Sequence, residues 1–366
     1  MQHCKRRKRC PFCGNLNTIR HGYFPLKKGN RKNRRRWYCL DCHRCFILRR
    51  QRLEKRATHF YYDNGDTYRT VSKEVGLSLP TTYYKIKELS LRCKDPHEVS
   101  GELKPSKWSG YILLDSDALF VKGIRESLLL SMDASTQDIP AATLARIEDQ
   151  AAWEILLSLL KEKAVYPLKA IVSDGEPSVW AAINKILPTM PHQLCLKHYH
   201  SFIYYRIRNQ ITNAKGKWRS YDKFMFDAHN MLFANSEREV KESLDCIARN
   251  YEFRGLGLTG IIKKMYLDFS LLTVHFRHPG LPRTTSSIEG LISRLDAKIN
   301  LADGYWRHET AWATLKMIIL RYRFKKFTDS SFNEHNGKCP LELAGVDTSK
   351  IDWIRYSQRD LKTTII

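Results

Sequence analysis

Beyond residue 110 the apolar positions come in short unbroken runs rather than stripes. Tyr111-Ile-Leu-Leu runs into Asp115, Leu128-Leu-Leu130 leads to Met132, and Ala170-Ile-Val-Ser ends at Asp174. Runs of this length bounded by turn residues mark strands buried on both faces. They predict a strand through Asp115 and Asp117, a tight turn near Gly123, and further strands over 126–134 and 169–174. Residues 143–163 and 178–187 read as helices, so the expectation is an α/β sheet of mixed direction. A later stripe of Ile288, Leu291, Ile292, Leu295 and Ile299 has helical period. Ser286-x-x-Glu289 ahead of it has the form of a capping box.

The pattern before residue 110 is different. Short helices are predicted over 57–62, 67–75 and 79–91, with Gly76-Leu77-Ser78 as a turn and Pro80 tolerated in the last helix's first turn. The apolar positions of that helix are Leu79, Tyr83, Ile86 and Leu89. Two helices about a glycine turn make 55–92 a helix-turn-helix candidate, which would offer Thr81, Thr82, Tyr84, Lys85 and Lys87 to a major groove. Residues 93–109, with Pro96, Gly101 and Pro105, read as a linker before a core over 110–335 and a tail over 336–366.

Charge changes the picture of the front end. The 366 residues carry a net charge of +24, yet residues 1–56 alone hold nineteen lysines and arginines against Asp41 and Glu54. Concentrated positive charge releases counterions from a phosphate backbone. Arg34, Arg35 and Arg36 stand beside Trp37 and Tyr38, a basic and aromatic mixture suited to DNA. No run of roughly 18 apolar residues predicts a membrane span, and no apolar stretch in the first twenty residues predicts a secretory leader. A cytoplasmic, nucleoid-associated protein is expected.

Six of the ten cysteines lie before residue 46. Cys10-x-x-Cys13 and Cys39-x-x-Cys42 are two knuckles, each able to clasp one side of a tetrahedral Zn²⁺. Short strands are expected between them, over 23–29 and 34–38, which makes 1–50 a zinc ribbon. A disulfide framework fits less well without a secretory leader. Cys4, Cys45 and His43 are surplus, and His43 is near enough in sequence to exchange for a ligand.

The acids carry the remaining chemistry. Asp115 and Asp117 share one strand face, Asp174 ends a strand, and Glu289 opens a helix. Each has a plain structural role open to it: Asp174 as a helix cap, Glu289 as half of the capping box. Taken together, carboxylates are hard ligands for Mg²⁺ or Mn²⁺, and a pair of such ions activates an attacking oxygen and stabilises a leaving one.

In this order the residues resemble a DDE transposase of a bacterial insertion sequence, in the Mutator-like branch. The resemblance rests on Asp115, Asp174-Gly175, Cys195-Leu-Lys-His198, Thr284-Thr-Ser-Ser-Ile-Glu289-Gly290 and the Cys339-to-Gly345 segment. It implies a ribonuclease-H-like core with a helical insertion over about 201–283. It also implies Asp115, Asp174 and Glu289 as the metal-binding triad, with Cys195 and His198 beside it. Two departures stand out: Asp117 replaces the family's threonine after the first acid, so it would assist or compete there, and Ser286 or Ser287 replaces an asparagine.

The activity so implied is metal-dependent cleavage and joining of double-stranded DNA at transposon ends and target, by a homodimer or larger assembly. Competing readings are a zinc-dependent transcription regulator and a stand-alone nuclease of the same fold. Within the insertion, Trp218, Tyr221, Phe224 and Phe226 among Lys215, Lys217, Arg219 and Lys223 are candidates for stacking on unpaired bases. The Arg321-to-Lys326 run is a candidate helix face near DNA.

Overall fold

The computed structural model describes residues 10, 13, 15–24, 34–47, 51–211, 219–251, 257–300 and 304–359. It divides into two units, residues 1–56 and 57–366. No helix among the described residues is long and apolar enough to cross a membrane.

The front unit is built on three antiparallel strands, β1 (Thr18–Phe24), β2 (Arg34–Cys39) and β3 (Cys45–Ile47), paired in that order. The first strand begins earlier than the sequence suggests, and residues 25–33 lie outside the described residues. The unit's apolar centre is small, with Trp37 and Phe46 against the cysteines. Arg35 donates to the Tyr23 hydroxyl at 2.8 Å and Arg36 to the His21 carbonyl at 3.1 Å.

The chain crosses from the front unit into the second within a helix. After α1 (Gln51–His59) and one wider turn, α2 (Tyr68–Val75) ends at Gly76, whose φ of 65° is the left-handed conformation that lets the chain reverse. Ser78 caps α3 (Leu79–Leu91) with its side chain. The buried face of α3 differs from the apolar stripe in the sequence. It consists of Thr82, Ile86, Leu89 and Ser90, while Leu79 and Tyr83 are exposed. Two hydroxyls replace hydrocarbon because each has a partner: Ser90 meets the Tyr62 hydroxyl at 2.7 Å, and Thr82 donates to the Ser78 carbonyl at 3.1 Å.

Residues 93–109 are not a loose linker. They form α4 (Pro96–Leu103), started by an Asp95–Glu98 capping box, and bury Pro96, Val99, Ser100 and Trp108. The reason lies far along the chain. Arg323 of α13 (His308–Phe324) is wholly buried, donates to the Pro96 carbonyl and Ser100 hydroxyl, and pairs with Asp138 at 2.7 Å. Arg321 pairs with Asp63 at 3.2 Å. These two arginines therefore face inward as an internal clamp, and of the basic residues in the Arg321-to-Lys326 run only Lys325 and Lys326 are exposed. The C-terminal segment packs as well, with Arg359 paired to Asp95 and Glu98.

The core sheet holds β4 (Tyr111–Val121), β5 (Ile124–Asp133), β6 (Ala142–Ala145), β7 (Ala170–Ser173) and β8 (His192–Leu194) in the order β6-β5-β4-β7-β8. The first three pair antiparallel, and β4, β7 and β8 run parallel. Residues 143–163 are only partly helical. Residues 142–145 pair with β5 as an edge strand, and Asp149 then caps α5 (Gln150–Ser158). With α6 (Pro177–Ile186), α5 buries Trp153, Leu156, Val179 and Ile183 against Ile112, Leu114 and Ile171 of the sheet.

A helical layer follows β8. It comprises α7 (Leu196–Ile211), α8 (Arg219–Leu232), α9 (Glu237–Tyr251), α10 (Thr259–Leu272) and α11 (Val274–Arg277), with its own apolar centre including Ile203, Phe224, Leu244 and Ile262. The chain then returns as α12 (Ser286–Ile299), packed on β4.

Candidate active site and cysteine cluster

Strand register brings the first two acids together. Leu113 of β4 stands opposite Val172 of β7 in a parallel pair. Side chains repeat their direction every second residue, so Asp115 and Asp174 follow this pair toward the same side, on strands about 4.8 Å apart. β7 stops at Ser173, and Gly175 then turns the chain with a φ of 84°. Glycine is favoured there by φ, and a Cβ would also press on the end of the Leu194 side chain, 2.7 Å away. Asp174 accepts from the Glu176 backbone at 3.1 Å, which ties down the turn without capping α6.

Glu289 arrives from the opposite direction on the first turn of α12. The capping-box reading fails here: Ser286 is already helical, Thr285 is the cap position, and Glu289 points elsewhere. Its carboxylate is paired with the Lys197 ammonium and lies 3.8 Å from His198 Nε2. Thr285 ties the cluster together. Its hydroxyl donates to Glu289 Oε1 at 3.3 Å and lies 3.3 Å from both His198 Nδ1 and Cys195 Sγ. The Thr285 backbone N–H also donates to Cys195 Sγ at 3.3 Å.

Cys195 and His198 thus sit beside the acids through Thr285. The Cys195 backbone extends the parallel pairing by donating to the Ser173 carbonyl at 2.8 Å. Its thiol is pushed up by burial, but hydrogen bonds from His198 and Thr285 outweigh this and leave it below its ordinary range. The hydrogen bond to Cys195 in turn raises His198 to about 9, with Asp174 and Glu289 adding to the effect.

The electrostatics of the acids record their proximity. Burial raises Asp115 to about 6, and the charges of Asp174 and Glu289 contribute in the same direction. Burial raises Asp174 too, with Glu148 adding. Asp117 reaches about 7 through burial and a shared hydrogen bond with Asp296 of α12. Its partner is therefore Asp296. Asp115 and Asp174, buried with raised proton affinity, are short of positive charge, and hard carboxylate oxygens are donors of the kind a divalent cation takes, but the acids do not bring three ligand atoms within 4.8 Å of one another. Lys197 and His198 supply that charge at Glu289.

In the front unit Cys10, Cys13, Cys39 and Cys42 gather all four sulfurs within 4.8 Å of one another. Among the described residues no other cysteine, histidine or acidic group does so. Cys10 and Cys42 are 3.6 Å apart, Cys13 and Cys39 3.5 Å. A tetrahedron of sulfurs about 2.3 Å from a zinc ion has edges near 3.8 Å, so the cluster suits structural Zn²⁺. Burial and the Cys10 thiol push Cys42 up to about 12. Surplus His43 meets the Tyr38 hydroxyl at 3.0 Å, and exposed Cys45 lies 3.7 Å from His21, so neither joins the cluster. Cys4 lies outside the described residues.

The DNA-facing candidates divide. On α3, Thr81 and Tyr84 are exposed and Lys85 is half-buried, but buried Thr82 is unavailable to a groove. Lys87 lies over the Tyr83 ring, 5.6 Å from its centre. Arg35 and Arg36 are half-buried on β2, and the Arg34 side chain lies outside the described residues. In the insertion, Tyr221 and Phe224 are core, leaving Phe226 exposed, while Lys215, Lys217 and Trp218 lie outside the described residues.

Sequence reasoning missed Lys197, Thr285 and Asp296. Lys197 lies inside Cys195-x-x-His198, and Thr285 stands four residues before Glu289, one helical turn away. That spacing was the available signal; nothing marked Asp296.

Comparison with known proteins adds three findings. Residues 130–251 match the family model described as Transposase, Mutator family. That stretch runs from β5 to α9 and includes Asp174, Cys195 and His198, but neither Asp115 nor Glu289. A protein of Methanobrevibacter smithii named "Insertion element ISM1 uncharacterized 48.3 kDa protein" is 22% identical over 307 residues, covering 76% of this chain and 74% of its own. Among solved structures, a chain of the simian T-cell lymphotropic virus intasome in complex with PP2A regulatory subunit B56 gamma aligns over 49% of this chain and 69% of its own. Its identity is 10% and its TM-score 0.21, too low to bear on the fold.

Proposed function

We infer that this chain, whose residues 130–251 carry the Mutator-family transposase segment, is a DNA transposase of an insertion sequence. The observation that supports the reading is the parallel β4–β7 register that carries Asp115 and Asp174 toward one side of the sheet, with Glu289 lying 3.8 Å from His198 of the matched segment. The mixed sheet, interrupted by a helical layer before Glu289, supports a ribonuclease-H-like core.

In this reading Asp115, Asp174 and Glu289 hold Mg²⁺ or Mn²⁺. Ions held there would supply activation of the attacking oxygen and stabilisation of the leaving 3′ oxygen of a phosphodiester. The chain's own part is positioning. Register fixes Asp115 against Asp174, and Thr285 orients Glu289. Protonated His198 offsets the acids' repulsion of DNA phosphate. The zinc-bearing front unit and the exposed face of α3, with Thr81, Tyr84 and Lys85, bind double-stranded transposon ends. Cutting is followed by joining to target DNA in a dimer or larger assembly, in the cytoplasm at the nucleoid.

The test uses purified chain, labelled DNA carrying the element's ends, and Mg²⁺. Asp115→Ala, Asp174→Ala and Glu289→Ala are each expected to lower cutting and joining by more than about a thousandfold, with end binding within about twofold of wild type. Full strand transfer in any of the three sinks the triad. Binding with no metal-dependent cutting by wild type identifies a regulator instead, and cutting with no joining a nuclease.

A further inference from the structure

The second unit contains a cleft of about 430 Å³ between α3 and the segment that leads into α13, lined by none of the three acids. One wall is aromatic and comes from the helix pair. Tyr68 of α2 meets Tyr83 of α3 edge to face, with ring centres 5.4 Å apart, and is backed by stacked Tyr61 at 4.3 Å. The other wall is Tyr305 and Trp306, with Thr310 below them. The Tyr305 backbone is held in place: its carbonyl accepts from Lys122 N–H at the β4–β5 turn, at 2.6 Å. Lys87 lines the cleft over the Tyr83 ring.

Trp306 is the unusual member. Trp37, Trp108 and Trp153 are buried and Trp180 is 47% exposed, whereas Trp306 is 80% exposed. An indole left in water beside a cleft with a second aromatic wall costs hydrophobic stabilisation unless something covers it. Two aromatic walls with a cation at one of them match a flat, electron-rich ring carrying an anionic backbone. A nucleotide has that chemistry, and the cleft has room for a base with its sugar. A base paired within a duplex cannot enter a cleft of this kind; a single unpaired one can.

We propose that the cleft formed by Tyr68, Tyr83, Lys87, Tyr305 and Trp306 is a binding site for one unpaired DNA base. The proposal rests on the reading of the chain as a DNA-processing protein. The base stacks on Trp306 or Tyr83, and Lys87 neutralises an adjoining phosphate. Because α3 also carries Thr81 and Tyr84, a duplex held along that helix would present its frayed or extruded nucleotide close by.

Photocrosslinking tests this on the whole chain. The probe is a short oligo(dT) carrying 5-iododeoxyuridine, which on irradiation couples to a stacked aromatic ring; adducts are then mapped by mass spectrometry. Adducts are expected at Trp306 or Tyr83. Trp306→Ala is expected to abolish the Trp306 adduct and weaken oligo(dT) binding roughly five- to hundredfold, the worth of one stacked base. Trp306→Phe, which keeps a ring, should retain most of the affinity, and duplex binding should be unchanged in both. Adducts confined to other regions, with oligo(dT) affinity unaltered in Trp306→Ala and Tyr83→Ala, overturn the site. Glu289→Gln should still give the cleft adduct. A chain that cuts DNA but forms no adduct there loses the cleft alone, whereas one that neither binds nor cuts DNA loses the transposase reading.

Discussion

Glu289 is held by a lysine and a histidine before any metal arrives, and this makes Lys197 more than a neighbour. A divalent cation binding at Glu289 must displace the Lys197 ammonium, so the lysine competes for the carboxylate. Lys197 is half exposed, so solvent screens the pair and limits its worth to about 1 kcal/mol. Lys197→Ala is therefore expected to tighten Mn²⁺ binding about two- to fivefold in a calorimetric titration, with Glu289→Ala abolishing the gain. Weaker binding in Lys197→Ala would show that the lysine supports the site. A second residue reports on stability. His192 is buried, meets the Ser173 hydroxyl at 2.8 Å, and is lowered by burial to about 4. Its folded-state value lies below the ordinary 6.5, so the unfolded chain takes up the proton first. Stability is full above pH 6.5 and falls as pH drops toward 4. At about 1.4 kcal/mol per unit the loss is on the order of 3 kcal/mol. Urea unfolding of wild type and His192→Asn at about pH 7 and about pH 4.5 checks it. The variant should lose clearly less stability between the two, and equal losses would remove His192 as the cause.

Elements were legible where one signal dominated. The runs through Ile112, Leu113 and Leu114, and through Ala170 to Val172, could only be central strands, and β4, β5 and β7 lie where they do for that reason. Gly76 and Ser78 announce the end of one helix and the cap of the next, so α2 and α3 are also plain in the sequence. Long-range partners defeated the rest. Thr82 and Ser90 are polar by type and buried by partnership, which turned the inner face of α3 away from its apolar stripe. Ala142-Thr-Leu-Ala145 suits a helix by composition, but β5 offers it an open edge. Residues 93–109 look like a linker because Pro96, Gly101 and Pro105 interrupt them, and distant partners such as Arg323 and Arg359 make them core. The acid site followed the same rule: its carboxylates were visible singly, but Lys197 and Thr285 gain their roles only when α7 and α12 meet.

At the scale of the whole molecule, charge and core are divided between the two units. Residues 1–56 carry a surplus of seventeen positive charges, and 57–366 only the remaining seven. The front unit's described apolar centre is Trp37 and Phe46 with the cysteines, too little to hold three strands by hydrophobic burial. The four-cysteine cluster suggests structural zinc, which would add stability there, because small ribbons of this kind gain folding energy on binding metal. The second unit has separate apolar centres under α5 and α6 and within the insertion. It should therefore keep its fold when the front end loses zinc. Atomic absorption is expected to find one zinc per chain in wild type and none in Cys39→Ser. That variant should lose at least about tenfold in DNA affinity at low salt, with a flatter dependence on salt as phosphate contacts are lost. Its far-ultraviolet helical signal should stay within a few per cent of wild type, because the helices lie almost wholly in the second unit. If zinc is retained after Cys39→Ser, the cluster is not its ligand set. If the helical signal collapses along with the zinc, the two units fold as one.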